Sequence, residues 1–191
     1  MLNITLKNKG FTLVETLVAI AILISLTSIA LPSFVDLIIK IRVNNEISSL
    51  NRLIFVARNT AININQTVTL CPLDNENTCK NSWHNMLSVF IDSNNNKIFE
   101  PEAGETLISV KSAITDKDKL QYGKTRVGLT YAATGHLSGW GQNATFKYCP
   151  NGHSNLSRGI VIALSGRVYQ TNKNNKKQID RTRSGKAVIC H

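Results

Sequence analysis

The sequence predicts an α+β chain in which a long N-terminal helix packs on an antiparallel β domain. Three observations predict it. Residues 11–31 form an almost unbroken apolar run, and apolar residues at helical spacing continue to Ile64. From Thr67 onward, short strand-like runs alternate with turn clusters, and no further run of helical length intervenes.

The first element begins after a polar stretch, residues 1–10, that contains Lys7 and Lys9. The run F-T-L-V-E-T-L-V-A-I-A-I-L-I-S-L-T-S-I-A-L then spans 21 residues with one charge, Glu15. As a helix it is about 30 Å long, the thickness of a bilayer's hydrocarbon core, so it is expected to cross a membrane. Lys7 and Lys9 favour a cytoplasmic N-terminus, whereas Lys40 and Arg42 follow on the other side. The cysteines decide for an exported C-terminal part. A carboxylate inside an apolar span costs roughly 2.5–3.5 kcal/mol, so Glu15 is expected to have a partner and a function. An ordinary signal peptide explains the hydrophobicity but not this acid, and its cleavage site would follow the apolar block.

The second element is amphipathic. Val43, Ile47, Leu50, Ile54, Ala57, Ala61 and Ile64 recur at alternating spacings of four and three, one apolar stripe on a helix that runs from about Phe11 to Ile64. Strand candidates follow at 68–71, 87–91, 106–111, 127–132, 144–149, 159–164, 167–170 and 187–190. Asn- and Gly-rich breaks at 93–97, 135–142 and 151–155 separate them. With no crossover helix available, the strands are expected to pair antiparallel and to cover the helix. The chain therefore divides into residues 1–10, a membrane half of the helix at 11–31, an amphipathic half at 32–65, and a β domain at 66–191.

The four cysteines, Cys71, Cys79, Cys149 and Cys190, all lie outside the apolar run. An even count beside an export signal favours disulfides, with three possible pairings. Cys71–Cys79 and Cys149–Cys190 are preferred, because the first closes a short loop and the second pins the C-terminus. Zinc competes weakly: Cys149 and His153 are four apart and His191 follows Cys190, but no second pair has finger-like spacing. Charge is polarised. Arg158, Arg167, Lys173, Lys176, Lys177, Arg181, Arg183 and Lys186 face one acid, Asp180, so this stretch carries +7 of the formal +10. Such a distribution suits a polyanion, nucleic acid or an anionic lipid surface, or else serves only solubility.

Other motifs resolve to structure. Asp92-Ser93-Asn94-Asn95-Asn96 spaces oxygen ligands as a calcium loop does, but Lys97 stands where glycine is required and Ala103 where the bidentate acid belongs, so a polar turn is expected and no metal. His84, His136 and His153 lack a carboxylate or serine at a recognised spacing. Gly135, Gly139 and Gly141 lack the lysine and helix of a nucleotide loop and read as turns flanking Trp140. Neither catalysis nor a cofactor is expected.

The segment K-G-F-T-L-V-E, Lys9 to Glu15, resembles the class III leader and N-terminus of type IV pilins and type II secretion pseudopilins. The resemblance implies that prepilin peptidase cuts after Gly10, that Phe11 becomes the N-methylated first residue, and that Glu15 pairs with the terminal amine of a neighbouring subunit during assembly. Pro32 matches a family position where the helix softens, as a missing N–H allows. The order T-L-C-P, Cys79, Trp83, V-F-I-D, E-A-G-E, F-K-Y-C-P and R-G-I-V-I-A-L-S-G-R resembles the FimT/GspH group of minor pilins and pseudopilins over nearly the whole chain. That resemblance implies a pilin-like β domain of two sheets.

FimT-like members bind DNA through a C-terminal G-R-x-R motif. Here it reads Gly166-Arg167-Val168-Tyr169, with tyrosine in place of the second arginine. The resemblance and the charge together lead to an expected DNA-binding set of Arg167, Tyr169, Lys173, Lys176, Lys177, Arg181, Arg183 and Lys186. The segment around 171–186 is expected to be a flexible loop making sequence-tolerant phosphate contacts. The expected partners are DNA, other pilins in a filament, prepilin peptidase and, before assembly, the inner membrane. The alternative is a structural minor pseudopilin of type II secretion, or a pilin that primes assembly, without DNA binding.

Overall fold

The computed structural model describes residues 10–139, 141–173 and 179–190, apart from the side chains of residues 29, 30, 32, 33 and 173. Its first element is helix α1, Leu13–Ile64, and the chain divides into compact units at 1–39 and 40–191.

In the first unit, Leu13, Val14, Leu17, Val18, Ile20, Ile22, Leu23, Ile24 and Leu26 are all exposed. Among the described residues no helix is long and apolar enough to cross a membrane. The expected span 11–31 includes residues 29 and 30, and the expected softening falls on Pro32. The side chains of all three lie outside those described.

In the second unit the helix buries Val43, Ile47, Leu50, Leu53, Ile54, Ala57 and Ala61, which is the predicted stripe with Leu53 added and without Ile64, the helix's last residue, which is 38% exposed. Asn65 ends the helix in the left-handed region (φ 56°), and Gln66 N–H reaches back to Ala61 O at 3.2 Å. That bond satisfies a terminal carbonyl that the helix itself leaves open.

The strands are β1 (Val68–Pro72), β2 (Leu87–Ile91), β3 (Leu107–Lys111), β4 (Lys119–Tyr122), β5 (Leu129–Tyr131), β6 (Ala144–Cys149), β7 (Arg158–Ile162), β8 (Val168–Gln170), β9 (Asn172–Lys173) and β10 (Asp180–Arg181). They form two four-stranded sheets, in the orders β3-β2-β1-β5 and β4-β6-β7-β8, and a two-stranded ribbon of β9 and β10. Every pairing is antiparallel. The fold is thus α+β, one long helix with two sheets.

The largest fully buried side chains are aromatic: Trp83, Tyr122, Tyr131, Tyr148, Phe90 and Phe146. Trp83 meets Tyr122 and Phe146 edge-on, at 5.2 and 5.1 Å between ring centroids, while Tyr122 and Phe146 stack at 4.1 Å. Trp83 Nε1–H donates to Arg126 O at 2.7 Å, so the indole keeps its one polar group satisfied. Tyr148 Oη donates to Asp118 Oδ2 at 2.5 Å, and burial together with that carboxylate raises the phenol's pKa. Disulfides join Cys71 to Cys79, beside Phe90, and Cys149 to Cys190.

Three expectations need correction. Strand β4 is not among the candidates, because K-L-Q-Y offers only two apolar residues and begins on the last residue of the charged run Asp116–Lys119. Residues 187–190 are not a strand: Ala187 makes one bridge to Arg181, and the disulfide then fixes Cys190 beside β6. The Asn- and Lys-rich loop begins and ends as a ladder, with Lys173 opposite Asp180 and Asn172 opposite Arg181. Asp92 closes the polar turn after β2, accepting from Thr69 Oγ1 at 2.6 Å, Asn96 N–H at 3.0 Å and Lys97 N–H at 3.2 Å.

Candidate nucleic-acid interface

At the N-terminal end, Thr12 caps α1. Its Oγ1 accepts Glu15 N–H at 3.3 Å, and its carbonyl accepts Thr16 N–H at 3.2 Å. Glu15 thus occupies the first turn, where the helix dipole favours an anion. Its side chain is exposed, as are Gly10 and Phe11. The T-x-x-E spacing of a helix start was present in the sequence, and could have located this cap.

The C-terminal cations fall into two sets. Arg158, at the start of β7, is committed to the fold. Its Nε lies 3.4 Å from Asp180 Oδ2, its Nη1 donates to Asn44 Oδ1 on α1 at 2.6 Å, and its Nη2 donates to Gln170 Oε1 at 3.2 Å. Asp180 is 2% exposed and also accepts Thr171 Oγ1–H at 2.9 Å, while its carbonyl accepts Val188 N–H at 3.0 Å. A buried carboxylate needs such partners. The one acid of the basic stretch therefore joins helix, sheet and C-terminal strap, and its charge is consumed internally.

The second set faces outward. The turn between β7 and β8 depends on Gly166, whose φ is +73° and which packs against the carbonyl of Gly135: a Cβ there would stand 1.9 Å from Gly135 O. No other residue fits. That turn presents Arg167, which is exposed and bonded only weakly, Nε to Ser165 Oγ at 3.4 Å. Ala163 N–H donates to Arg167 O at 2.9 Å, extending the ladder, so Arg167 shares a face with Tyr169 two residues on. The guanidinium of Arg183 lies over the Tyr169 ring, 4.4 Å from its centroid.

Arg181, half-buried, donates from Nη1 to Gly185 O at 2.5 Å and holds the turn that carries Arg183. Lys186 is exposed. The structure thus brings Arg167, Tyr169 and Arg183 to one edge of the second sheet and gives Arg181 a supporting place. Lys176 and Lys177 lie outside the described residues, as does the side chain of Lys173. Reading the sequence missed the cation–π contact, since nothing local links positions 169 and 183.

This arrangement offers guanidinium and ammonium donors without an exposed acid among the described residues 158–190. It can neutralise phosphates, and it presents no nucleophile–base pair.

A family model described as type II transport protein GspH matches residues 46–166. A prokaryotic N-terminal methylation motif matches residues 5–31. No curated protein matches the chain. Among solved structures, a crystal form of the type IV minor pilin FimU from Pseudomonas aeruginosa is similar over 68% of this chain and 88% of that one, with 18% identity and a TM-score of 0.53. A second crystal form gives 65%, 89%, 20% and 0.49. At 18% identity the first likeness speaks for the fold alone. The family match ends at Gly166, so Arg167 and the cations behind it lie beyond it.

Proposed function

Because the chain belongs to the family of type II transport protein GspH, and is thus a minor pilin or pseudopilin, we propose that it enters a type IV pilus and binds DNA there for natural transformation. The observation that carries the DNA reading is the exposed Arg167–Tyr169–Arg183 cluster, whose only nearby acid in sequence, Asp180, is already bound to Arg158. Contacts of this kind hold the phosphate backbone and do not read bases, so binding is sequence-tolerant and salt-sensitive. Lys173, Lys176, Lys177 and Lys186 add charge along the same segment, and Arg181 positions Arg183.

The N-terminal part serves assembly. Prepilin peptidase cuts after Gly10, Phe11 is methylated, and the apolar helix holds the subunit in the bacterial inner membrane until it joins the filament. The ammonium created at Phe11 and the Glu15 carboxylate are each costly in an apolar setting until they neutralise one another between subunits. The methylation motif at residues 5–31 supports this reading.

The test is binding of the full chain, in detergent, to a labelled 20-base-pair duplex across a salt series. Micromolar binding is expected, with affinity falling steeply as salt rises. An Arg167→Ala/Arg183→Ala variant should lower the slope of log K against log salt by about 1.8. If the wild type fails to bind at low salt, the chain is a structural minor pseudopilin that contacts other pilins and no nucleic acid.

A further inference from the structure

The second sheet has an outward face that joins the arginine cluster to a separate basic cleft. Register fixes this. Phe146 and Tyr148 of β6 and Ile160 and Ile162 of β7 are buried, so the alternate residues Thr145, Lys147 and Val161 point the other way. Tyr169 stands opposite Val161, and Val161 opposite Thr145. Directly opposed residues share a face. The row Tyr169–Val161–Thr145 is partly exposed and carries no charge.

Beyond Thr145 the row enters a cleft of about 820 Å³ along β4. Lys119, Lys124 and Lys147 line it, with Trp83 and Leu120 forming apolar wall. Lys119 and Lys124 are exposed. Lys147 Nζ donates to Ile189 O at 3.0 Å, which fixes the amine at the cleft's edge beside the C-terminal strap. Among the described lining residues the one acid, Asp118, is spent: Arg42 Nε lies 3.3 Å away, and Asp118 accepts from Tyr148 Oη at 2.5 Å and Asn151 N–H at 2.8 Å.

We propose that this lysine-lined cleft is a second phosphate-binding stretch for nucleic acid, reached across the outward face of the second sheet from Arg183 and Tyr169. Charge complementarity commits the occupant: three ammonium groups with no free carboxylate among the lining residues suit an extended polyanion. From β8 to β4 is three strand spacings, about 14 Å. A duplex covers that distance in roughly four base-pair steps, so one bound strand touches both places. The inference rests on the DNA reading above and lengthens its footprint.

The experiment compares the wild-type full chain, a Lys119→Gln/Lys124→Gln variant and the Arg167→Ala/Arg183→Ala variant on the same 20-base-pair duplex and on phosphatidylserine and phosphatidylcholine vesicles. The lysine variant is expected to bind DNA roughly tenfold more weakly at low salt, with a salt slope shallower by about 1.8. In the wild type, DNA should protect Lys119 and Lys124 from acetylation, a readout that needs no variant to fold. If the lysine variant binds DNA as the wild type does and neither lysine is protected, while the arginine variant is impaired, the cleft falls and the DNA reading stands. If the lysine variant loses a wild-type preference for phosphatidylserine over phosphatidylcholine vesicles and keeps DNA, the cleft is a lipid site and the proposal is overturned. If the wild type binds no DNA at low salt, both readings fall together.

Discussion

Two sets of arginines in this protein look alike in sequence and do opposite work. Arg42, Arg58 and Arg158 each reach an internal acceptor: Asp118 at 3.3 Å, Gly135 O at 3.0 Å and Asp180 at 3.4 Å. Arg167 and Arg183 reach outward, one exposed on a turn and the other laid over a tyrosine ring. The difference teaches that net charge overstates what is available to a partner. Arg158 and Asp180 cancel within the fold, and what remains is the outer set.

The largest effect should come from the pair that the comparison places deepest. Arg158→Met leaves Asp180, 2% exposed, with Thr171 as its remaining side-chain donor among the described residues. Removing one partner from a buried pair costs about 3 kcal/mol, somewhat less if water reaches the acid through the space vacated. For a chain of this size that is a fall in Tm of roughly 6–12 °C, read by near-UV circular dichroism. An unchanged Tm would mean that Arg158 belongs with the outer set.

A middle effect is expected at Arg58. Its Nε–H donates to Gly135 O, the same carbonyl that Gly166 approaches, so the side chain ties α1 to two turns. Arg58→Ala should cost about 1.5 kcal/mol, a Tm lower by roughly 3–6 °C, because a charged donor to a part-buried carbonyl is lost. DNA affinity measured well below that Tm should stay at the wild-type value.

This division was only partly legible from residues. The helix stripe was, because spacings of four and three keep Val43 to Ala61 on one side whatever they pack against. Strands with several β-branched or aromatic residues were also visible, β2 and β7 among them. Strand β4 was not, since its pairing with β6 and not its composition makes it a strand. Arg158 and Asp180 are 22 positions apart, and only the β7–β8 hairpin with the β9–β10 ribbon brings them together. Gly166 could be read as a turn residue, but its close approach to Gly135 is set by the fold. Arg167 was singled out through a family motif, and the sequence had no means of showing that its neighbour serves the fold while it does not.

That contrast between neighbours yields the smallest stability effect and the sharpest test. Among the described residues the Arg167 side chain bonds only Ser165 Oγ, at 3.4 Å, and the residue is exposed. Arg167→Ala should therefore change stability by less than about 0.5 kcal/mol, a Tm shift within about 2 °C. Its DNA affinity should fall while the salt slope becomes shallower by about 0.9, the signature of one lost phosphate contact. Arg167→Lys keeps the charge and loses the planar fork, so it should restore the slope if charge alone makes the contact to phosphate. Failure of lysine to restore it would show that the contact needs the planar fork, a bidentate pairing with phosphate that a point charge does not reproduce.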